Sequence, residues 1–205
     1  KLNIQKLADN DQLDEIEREH LSIAQEGIEQ IEKFIKELLG FTRVSVLQPD
    51  YFGLDQVIDE SLKILLPSLA EKHVQVKKNY QQPLPPAFVD GDKLRQVFLN
   101  ILRNAYEAVG EGGVIEISLS LVPDGEKSFF EVKICDTGNG IPGKDWENIF
   151  EPFFTTKSSG AGLGLANARR LVEQHGGTIK VVAKEGQGSC FLIRIPSEIQ
   201  AKEKI

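Results

Sequence analysis

Sulfur-containing residues are scarce in this chain: among 205 residues there is no methionine, and Cys135 and Cys190 are the only cysteines. Two cysteines cannot form the framework of a small disulfide-rich domain, and neither has a cysteine or histidine neighbour at zinc-binding spacing. The histidines His20, His73 and His175 are scattered and show no metal-ligand pattern. These absences exclude a disulfide scaffold, argue against a zinc module, and favour a reducing compartment, in which thiols stay reduced.

Long apolar runs and an excess of basic residues are also absent. No apolar run approaches the roughly 20 residues that a membrane span requires. The chain has 24 Lys and Arg against 31 Asp and Glu, a net charge of -7, which argues against broad nucleic-acid or anionic-membrane binding. We therefore expect no nucleic-acid partner, no membrane contact by this chain and a cytoplasmic location. Because it does not begin with methionine, we also expect a longer parent protein, which could be membrane-anchored.

A heptad pattern dominates the N-terminal part, where residues 11–41 are predicted to form one long helix. Its apolar residues recur at steps of three and four, and Ile16, Ile23, Phe34 and Leu39 widen the stripe. One helix cannot bury such a face alone, so we predict a partner helix from a second chain or from an upstream segment. Packing against its own domain is the alternative. The heptad positions are Leu21, Ala24, Ile28, Ile31, Ile35 and Leu38.

The rest of the chain alternates between helix and strand patterns. It predicts an α+β fold, in which helices cover a largely antiparallel sheet. We divide the chain into a helix and linker at 1–47, a main domain at 48–196 and a loose tail at 197–205. Pro67 is expected to kink or end the first helix of the main domain. The predicted helices are 54–72, a helix capped by Asp90 or Asp92 and ending at Val109, 144–150 and 163–175; the predicted strands are 74–80, 87–89, 113–122, 129–136, 178–183 and 189–195.

Two of these helices have a clear apolar side that we expect to face the sheet. Their predicted inward residues are Val57, Ile58, Leu62, Leu65, Leu66 and Leu69 in the first, and Leu94, Val97, Phe98, Ile101, Leu102, Ala105 and Ala108 in the second.

Glycine-rich segments carry the strongest chemical signal. Residues 136–142 (DTGNGIP) follow a predicted strand, residues 160–165 (GAGLGL) open a predicted helix, and Gly186 and Gly188 precede the last strand. Free backbone amides at a glycine-rich helix N-terminus can bind an anion such as a phosphate. The spacing matches neither a Walker A loop nor the GxGxxG dinucleotide fingerprint.

Two asparagines on the helix after Asp92 strengthen this signal. Asn100 and Asn104 are four residues apart and therefore share one face of the helix. Amides on the apolar side of a helix are costly without partners. An amide oxygen can also bind Mg²⁺, which keeps several waters and relies on substrate phosphates.

Taken together, these segments resemble the Bergerat-type ATPase superfamily, and most closely the ATP-binding domain of bacterial sensor histidine kinases of the nitrogen-regulation type. The resemblance covers about residues 50–196. Four motifs appear in the order found in the family: FLNILRNAYEAV resembles the N box, DTGNGIP the G1 box, IFEPFFTTK the F box, and GAGLGLANARRLVEQHGG with GQGS the G2 and G3 boxes. The long helix ending in ELLGFTR resembles the second helix of the family's dimerisation hairpin.

The resemblance implies a two-layer sandwich of Bergerat type with ATP and Mg²⁺ as ligands. Asp136 would accept a hydrogen bond from the adenine amine, and Asn104 would bind the metal. The glycines Gly160, Gly162 and Gly164 would let a lid wrap the phosphates, and Lys157 or Arg103 could add a phosphate contact. Phe150, Phe153 and Phe154 would form the base of the lid and the adenine wall. The remaining ATP-binding residues are Asn100, Glu107, Ala108, Gly138, Gly140, Ile141, Ala161, Leu163 and Leu165.

The N-box position occupied by Asn100 separates the branches of the superfamily. ATP-hydrolysing branches have a glutamate there as a base for water. An amide cannot accept a proton near neutral pH. We therefore expect Asn100 and Asn104 to serve transfer of the γ-phosphoryl group to a protein nucleophile, with catalysis by positioning and charge neutralisation.

The histidines do not match the family's acceptor site. His20 is followed by Leu21 rather than by an acidic residue, and no proline is nearby, so we place the phosphoacceptor histidine outside this chain. His73 is interpreted as structural, and His175 is expected to cap the end of its helix as a cationic ring.

The resulting hypothesis is a sensor histidine kinase core that dimerises through the helix at 11–41 and passes phosphate to a response-regulator receiver domain. A protein serine kinase of the same fold and a non-catalytic ATP-sensing module are the alternatives.

Overall fold

A computed structural model describes residues 14–42, 46–125, 127–157, 160–183 and 185–197. Four helices and seven strands are described within these ranges. The helices are α1 (Glu15–Thr42), α2 (Leu54–Glu71), α3 (Gly91–Ala108) and α4 (Gly164–Gln174). The strands are β1 (Asp50–Phe52), β2 (Gln75–Tyr80), β3 (Ala87–Val89), β4 (Val114–Asp124), β5 (Lys127–Asp136), β6 (Thr178–Ala183) and β7 (Ser189–Pro196).

Five strands form the main sheet in the order β2-β4-β5-β7-β6. Strand β2 runs parallel to β4, and the other neighbours are antiparallel. Strands β1 and β3 form a separate two-stranded antiparallel sheet. The α+β architecture with a mixed, mostly antiparallel sheet is therefore confirmed.

The core lies between the sheet and its helices. In β5 the alternation is strict, since Phe130, Val132 and Ile134 are buried while Lys133 between them is exposed. On α3 the apolar residues recur every three or four positions and are likewise buried. Asp90 starts α3 by accepting a hydrogen bond from the Lys93 amide at 3.0 Å. This cap fixes the rotation of α3, and with it the direction of its polar side.

Three details of the helix prediction need correction. Helix α2 continues through Pro67 to Glu71, and Leu66, expected inside, is 50% exposed. The helix does not end at Pro67. Its inward side also stays buried there, through Leu65 and Leu69. The predicted helix at 144–150 is a single 3-10 turn, Gly143–Asp145, followed by turns.

The two cysteines face each other across neighbouring strands. Cys135 on β5 is the register partner of Cys190 on β7, and the two form a disulfide bond with Cα atoms 3.9 Å apart. The sequence led us to expect unlinked thiols in a reducing compartment. The pairing was hidden because 55 residues separate the cysteines along the chain, and only the sheet register brings them together.

Helix α1 leaves most of its apolar stripe exposed. Ile16, Ile23 and Ile31 are each about 60% exposed, and Leu39 is 58% exposed. Its C-terminal end contacts the main domain, where Arg170 donates to the Gly40 carbonyl at 3.4 Å. The alternative that α1 buries its stripe on its own domain is therefore not observed. Of the helices described, none combines the length and apolar character that crossing a membrane would require.

Candidate functional site

A cavity of about 480 Å³ opens between α3, the loop after β5 and the segment that leads into α4. It brings together most of the residues that the sequence singled out, although they are spread along the chain from Asn100 to Leu165. The predicted residues that line it are Asn100, Asn104, Glu107, Ala108, Asp136, Gly140, Ile141, Phe154, Lys157, Gly160, Ala161, Gly162, Leu163, Gly164 and Leu165.

The polar side of α3 forms one wall. Gln96, Asn100, Arg103, Asn104 and Glu107 all line the cavity, and their spacing of four, three, one and three residues places them along one stripe. The opposite, apolar side of the helix is buried in the core, so the expectation that Asn100 and Asn104 lie on the apolar side is wrong. Because the core fixes the rotation of α3, the stripe is held facing the cavity.

Asn100 connects α3 to the start of α4. Its Nδ2 donates to the carbonyl of Gly164, the first residue of α4, at 3.1 Å. This contact spans 64 positions in the chain and fixes where the glycine-rich segment enters its helix.

Asn104 and Glu107, one helical turn apart, share a cation from the other side of the cavity. The ammonium Nζ of Lys157 donates to Asn104 Oδ1 at 3.1 Å and forms an ion pair with Glu107 Oε2. Both charged side chains remain about two-fifths exposed. The site therefore already shows that these two oxygens can hold a positive charge.

Asp136 lies at the end of β5 and is almost fully buried, at 7% exposure. Its Oδ1 accepts hydrogen bonds from the Gly138 amide at 2.8 Å and the Ser189 amide at 3.3 Å. Burial raises the pKa of Asp136 above its ordinary value, and these two hydrogen bonds offset part of the increase. A donor from a ligand to the second carboxylate oxygen would further stabilise the charge.

Close backbone approaches explain several of the glycines. A Cβ on Gly138 would lie 2.5 Å from the Ala108 carbonyl oxygen, and one on Gly162 would lie 2.5 Å from the carbonyl carbon of Phe153. Gly162 also has φ of +67°, a conformation that favours glycine. Gly138 therefore lets the loop after β5 pack on the end of α3, and Gly162 folds the lid segment back onto the predicted F box.

The three phenylalanines of that box have different positions. Phe154 lines the cavity, whereas Phe150 is buried behind it and packs edge-on against the cavity residue Phe191. The side chain of Phe153 is 56% exposed, and its backbone amide donates to the Gly162 carbonyl at 3.0 Å. Phe153 and Gly138 thus shape the site through the backbone, outside the lining itself.

Sequence reasoning missed several lining residues. Gln96 could have been found from the polar stripe, since it lies one turn before Asn100. Ser189 and Phe191 lie on β7 and reach the cavity through strand pairing with β5, for which the sequence carries no local signal. The other lining residues that were not predicted are Gly40, Leu99, Pro142, Asp145, Ile149, Thr155, Thr156 and Asn167.

The histidines lie outside the cavity lining. His20 is exposed on α1, and His73, with φ of +53°, is exposed beyond the end of α2. His175 is fully buried; its Nδ1 lies 2.7 Å from the Leu171 carbonyl, and its Nε2 accepts from the Asp90 amide at 3.1 Å. His175 is the C-cap of α4, as expected, but burial lowers the pKa of its ring, so the expected positive charge is wrong: the ring is a neutral link between α4 and α3.

The comparison with known protein families agrees with this geometry. Residues 89–199 match the family described as histidine kinase-, DNA gyrase B- and HSP90-like ATPases, and the chain belongs to this family. This match includes α3, the loop after β5, the glycine-rich segment and the last hairpin. All the elements that build the cavity wall, apart from the end of α1, therefore lie inside the shared region.

Similar proteins narrow the class to sensor histidine kinases. ZraS of Escherichia coli K12, a sensor histidine kinase, is 35% identical over 175 residues, which cover 85% of this chain and 37% of ZraS. Full-length ShkA, solved in complex with AMPPNP, is 28% identical with a TM-score of 0.74 over 93% of this chain and 41% of ShkA. Histidine kinase ThkA, solved in complex with the response regulator protein TrrA, is 25% identical with a TM-score of 0.74, covering 99% of this chain and 56% of that one.

The main domain is thus a catalytic domain of the sensor histidine kinase type. The chain spans about a third of the length of ZraS, so what the whole protein does is a separate question.

Proposed function

We propose that this chain binds Mg·ATP in the cavity between α3 and α4 and supports transfer of the γ-phosphoryl group to a histidine in another part of its protein. The observation that carries the proposal is the joint placement of Asp136, Asn104, Lys157 and the glycine-rich segment in one cavity. Membership of an ATPase family supports ATP as the nucleotide.

We propose that Asp136 determines which nucleotide base the site accepts. One carboxylate oxygen is fixed by two backbone amides, which leaves the other as an acceptor. Adenine presents an amine at the edge where guanine presents a carbonyl oxygen, and a carboxylate accepts only from the amine. The site should therefore prefer ATP over GTP, with Ile141 and Phe154 as apolar neighbours of the base.

Asn104 and Glu107 are the proposed holders of Mg²⁺. Amide and carboxylate oxygens are ligands that magnesium prefers, and the contact of the Lys157 ammonium with both supports a cation site there. Bound magnesium would neutralise charge on the phosphates. The amides of Gly160, Ala161, Gly162 and Leu163 are proposed to contact the same phosphates at the entrance of α4.

Asn100 fits phosphoryl transfer better than hydrolysis. Its Nδ2 is already used to hold Gly164, and an amide cannot take a proton from water at neutral pH. The chain's own contribution to the reaction is then to orient the nucleotide and to stabilise its charge. The proton acceptor and the nucleophile would be supplied by the histidine-bearing segment.

The remaining parts of the proposal concern partners. The exposed apolar stripe of α1 supports dimerisation through this helix, in a four-helix arrangement with a preceding helix that carries the acceptor histidine. The complex of ThkA with a response regulator supports a receiver domain as the recipient of the phosphoryl group. Because ATP is the proposed substrate, we place the chain in the cytoplasm.

A binding experiment and a labelling experiment test the proposal. Calorimetry should show uptake of Mg·ATP by the wild-type chain, much weaker uptake by Asn104→Ala, and unchanged uptake by Asn79→Ala, an exposed asparagine on β2. The full-length protein incubated with γ-labelled ATP should then give a phosphoprotein that is labile in acid.

Other outcomes would favour the alternatives. Acid-stable label would indicate a serine kinase of the same fold. Nucleotide binding without any label, together with unchanged signalling by Asn104→Ala in the parent protein, would indicate a non-catalytic sensing module. Rapid release of free phosphate by the chain alone would contradict the role given to Asn100.

A further inference from the structure

Lys157 occupies an unexpected position in the candidate site. A lysine in a phosphate-binding loop is expected to face the phosphates, but Lys157 Nζ lies on Asn104 and Glu107, the two groups to which we assign the metal. Asn104 Oδ1 is 3.1 Å from the ammonium, which is a normal hydrogen-bond distance. One lysine therefore neutralises Glu107 and uses the oxygen of Asn104 at the same time.

Magnesium and the ammonium group cannot occupy this position together. Mg²⁺ binds oxygen at about 2.0–2.1 Å, well inside the hydrogen-bond distance that the ammonium keeps, and Asn104 has only one side-chain oxygen to offer either cation. A dication and an ammonium beside the same two oxygens would also repel each other. Binding of the metal to Asn104 thus requires Lys157 to leave.

The local structure allows Lys157 to move. Its backbone is held within its own turn, where the hydroxyl of Thr155 accepts from the Lys157 amide at 3.1 Å and donates to its carbonyl at 3.4 Å. The ion pair itself is exposed enough for water to replace it at little cost. A small rotation of this turn, which leads toward the lining residue Gly160, can turn the ammonium from α3 toward the centre of the cavity.

From this geometry we propose that Lys157 is an exchangeable counter-ion of the magnesium site. It holds Asn104 and Glu107 in place, competes with Mg²⁺ for them, and is released from them when the metal binds. Lys157 is therefore a positioning residue for the two groups to which we assign the metal. The inference rests on the proposed function, since it assumes that the cavity binds Mg·ATP.

The test compares nucleotide binding with and without the metal. Calorimetric affinities for AMPPNP are measured in excess Mg²⁺ and in excess EDTA for the wild-type chain, Lys157→Met and Lys157→Arg. Lys180→Met, an exposed lysine on β6 outside the lining, serves as the control for net charge. The quantity compared between variants is the AMPPNP affinity in Mg²⁺ divided by the AMPPNP affinity in EDTA.

Competition predicts a larger ratio for Lys157→Met. In EDTA the wild-type ammonium stays on Asn104 and Glu107, so the substitution should change that affinity little. In Mg²⁺ the metal no longer has to displace the ammonium from Asn104 and Glu107, so the ratio should rise about fivefold, as for loss of one exposed ion pair. Lys157→Arg and Lys180→Met should keep the wild-type ratio. Direct titration with Mn²⁺ in the absence of nucleotide should show tighter binding to Lys157→Met and weaker binding to Glu107→Gln.

Two results would overturn the inference. If Lys157→Met lowers both nucleotide affinities by the same factor, Lys157 is a plain phosphate contact. If it leaves both unchanged, Lys157 has no role in the site. Failure of the wild-type chain to bind AMPPNP under either condition would instead refute the proposed function, so the two failures are distinguishable.

Discussion

Asp136 illustrates how burial and function oppose each other in a single side chain. Its raised pKa means that the folded chain binds this proton more tightly than the unfolded chain does. The sign of the effect follows directly: stability contributed by Asp136 is present at low pH and is lost as the pH rises through the raised pKa. Near neutral pH the buried carboxylate therefore lowers the stability of the fold, and the proposed hydrogen bond from adenine would offset part of that cost.

Asp136→Asn should separate the effect of this side chain on stability from its effect on nucleotide binding. The asparagine can still accept from the Gly138 amide, but its second polar atom is a donor and opposes the adenine amine. We expect affinity for ATP to fall by at least about 100-fold, the equivalent of about 3 kcal/mol for an unpaired buried polar group. The thermal midpoint of unfolding should stay the same or rise. A large fall in the midpoint would show that Asp136 is primarily structural.

For His175 we predict a stability contribution that changes with pH in the opposite direction to that of Asp136. Burial lowers its pKa below 6.5, so the unfolded chain binds more protons than the folded chain once the pH falls below that value. The stabilisation by neutral His175 is fully present above pH 6.5. Below it, this histidine alone should reduce the free energy of unfolding by at most about 1.4 kcal/mol per pH unit, until the lowered pKa is reached.

Denaturant titrations at pH 7.5 and 5.5 measure this effect. His175→Phe should lower the free energy of unfolding at both pH values because it loses the bonds to Leu171 and Asp90. The difference in the free energy of unfolding between pH 7.5 and pH 5.5 should become smaller, because the part that comes from His175 is removed. His73→Gln, which changes an exposed histidine, should keep the wild-type difference. An unchanged difference in His175→Phe would assign the pH dependence to other groups.

Strand pairing at the end of β5 and β7 sets the position of Asp136. Gly188 precedes β7 with φ of +84°, and a Cβ there would lie 1.9 Å from the Asp136 carbonyl oxygen. The close approach lets the Ser189 amide reach the Asp136 carboxylate. A side chain at Gly188 would thus push apart the two strand ends that hold the proposed adenine contact.

Gly188→Ala should therefore damage stability and binding together. We expect a loss of at least about 2 kcal/mol in the free energy of unfolding, from the left-handed backbone and from the clash, and weaker binding of ATP. Gly186→Ala is the matched control, since its φ is +75° but a Cβ would meet nothing within 4 Å. It should cost about 1–2 kcal/mol and leave ATP affinity unchanged. Equal effects of both variants would show that the close approach is unimportant.

The main domain is well packed, but the long helix α1 leaves most of its apolar stripe exposed. The sheet and helices α2, α3 and α4 share one core, whereas α1 exposes Ile23, Ile31 and Leu39. An apolar stripe of this kind marks an interaction surface rather than a stable exposed face. Assembly through α1 and nucleotide binding in the cavity should thus be separable properties.

Sedimentation can test this separation. We expect the chain to self-associate through α1, and Ile31→Lys with Ile35→Lys to shift it toward the monomer by placing charges in the stripe. Glu26→Lys, outside the heptad positions, should leave association unchanged. Affinity for ATP should be the same in all three proteins. A monomeric wild-type chain would indicate that an upstream helix, rather than a second α1, covers the stripe.

The amino-acid sequence by itself determined the α+β class, a helix cap at Asp90 or Asp92, the shared helix face of Asn100 and Asn104, and the order of the glycine-rich segments. These depend on local periodicity, turn chemistry and short motifs. Only the tertiary structure decided that Lys157 reaches Asn104, that Ser189 supports Asp136, that Cys135 meets Cys190 and that His175 is neutral. These four depend on strand register, burial or loop placement that brings together residues far apart in the chain, which no local pattern encodes.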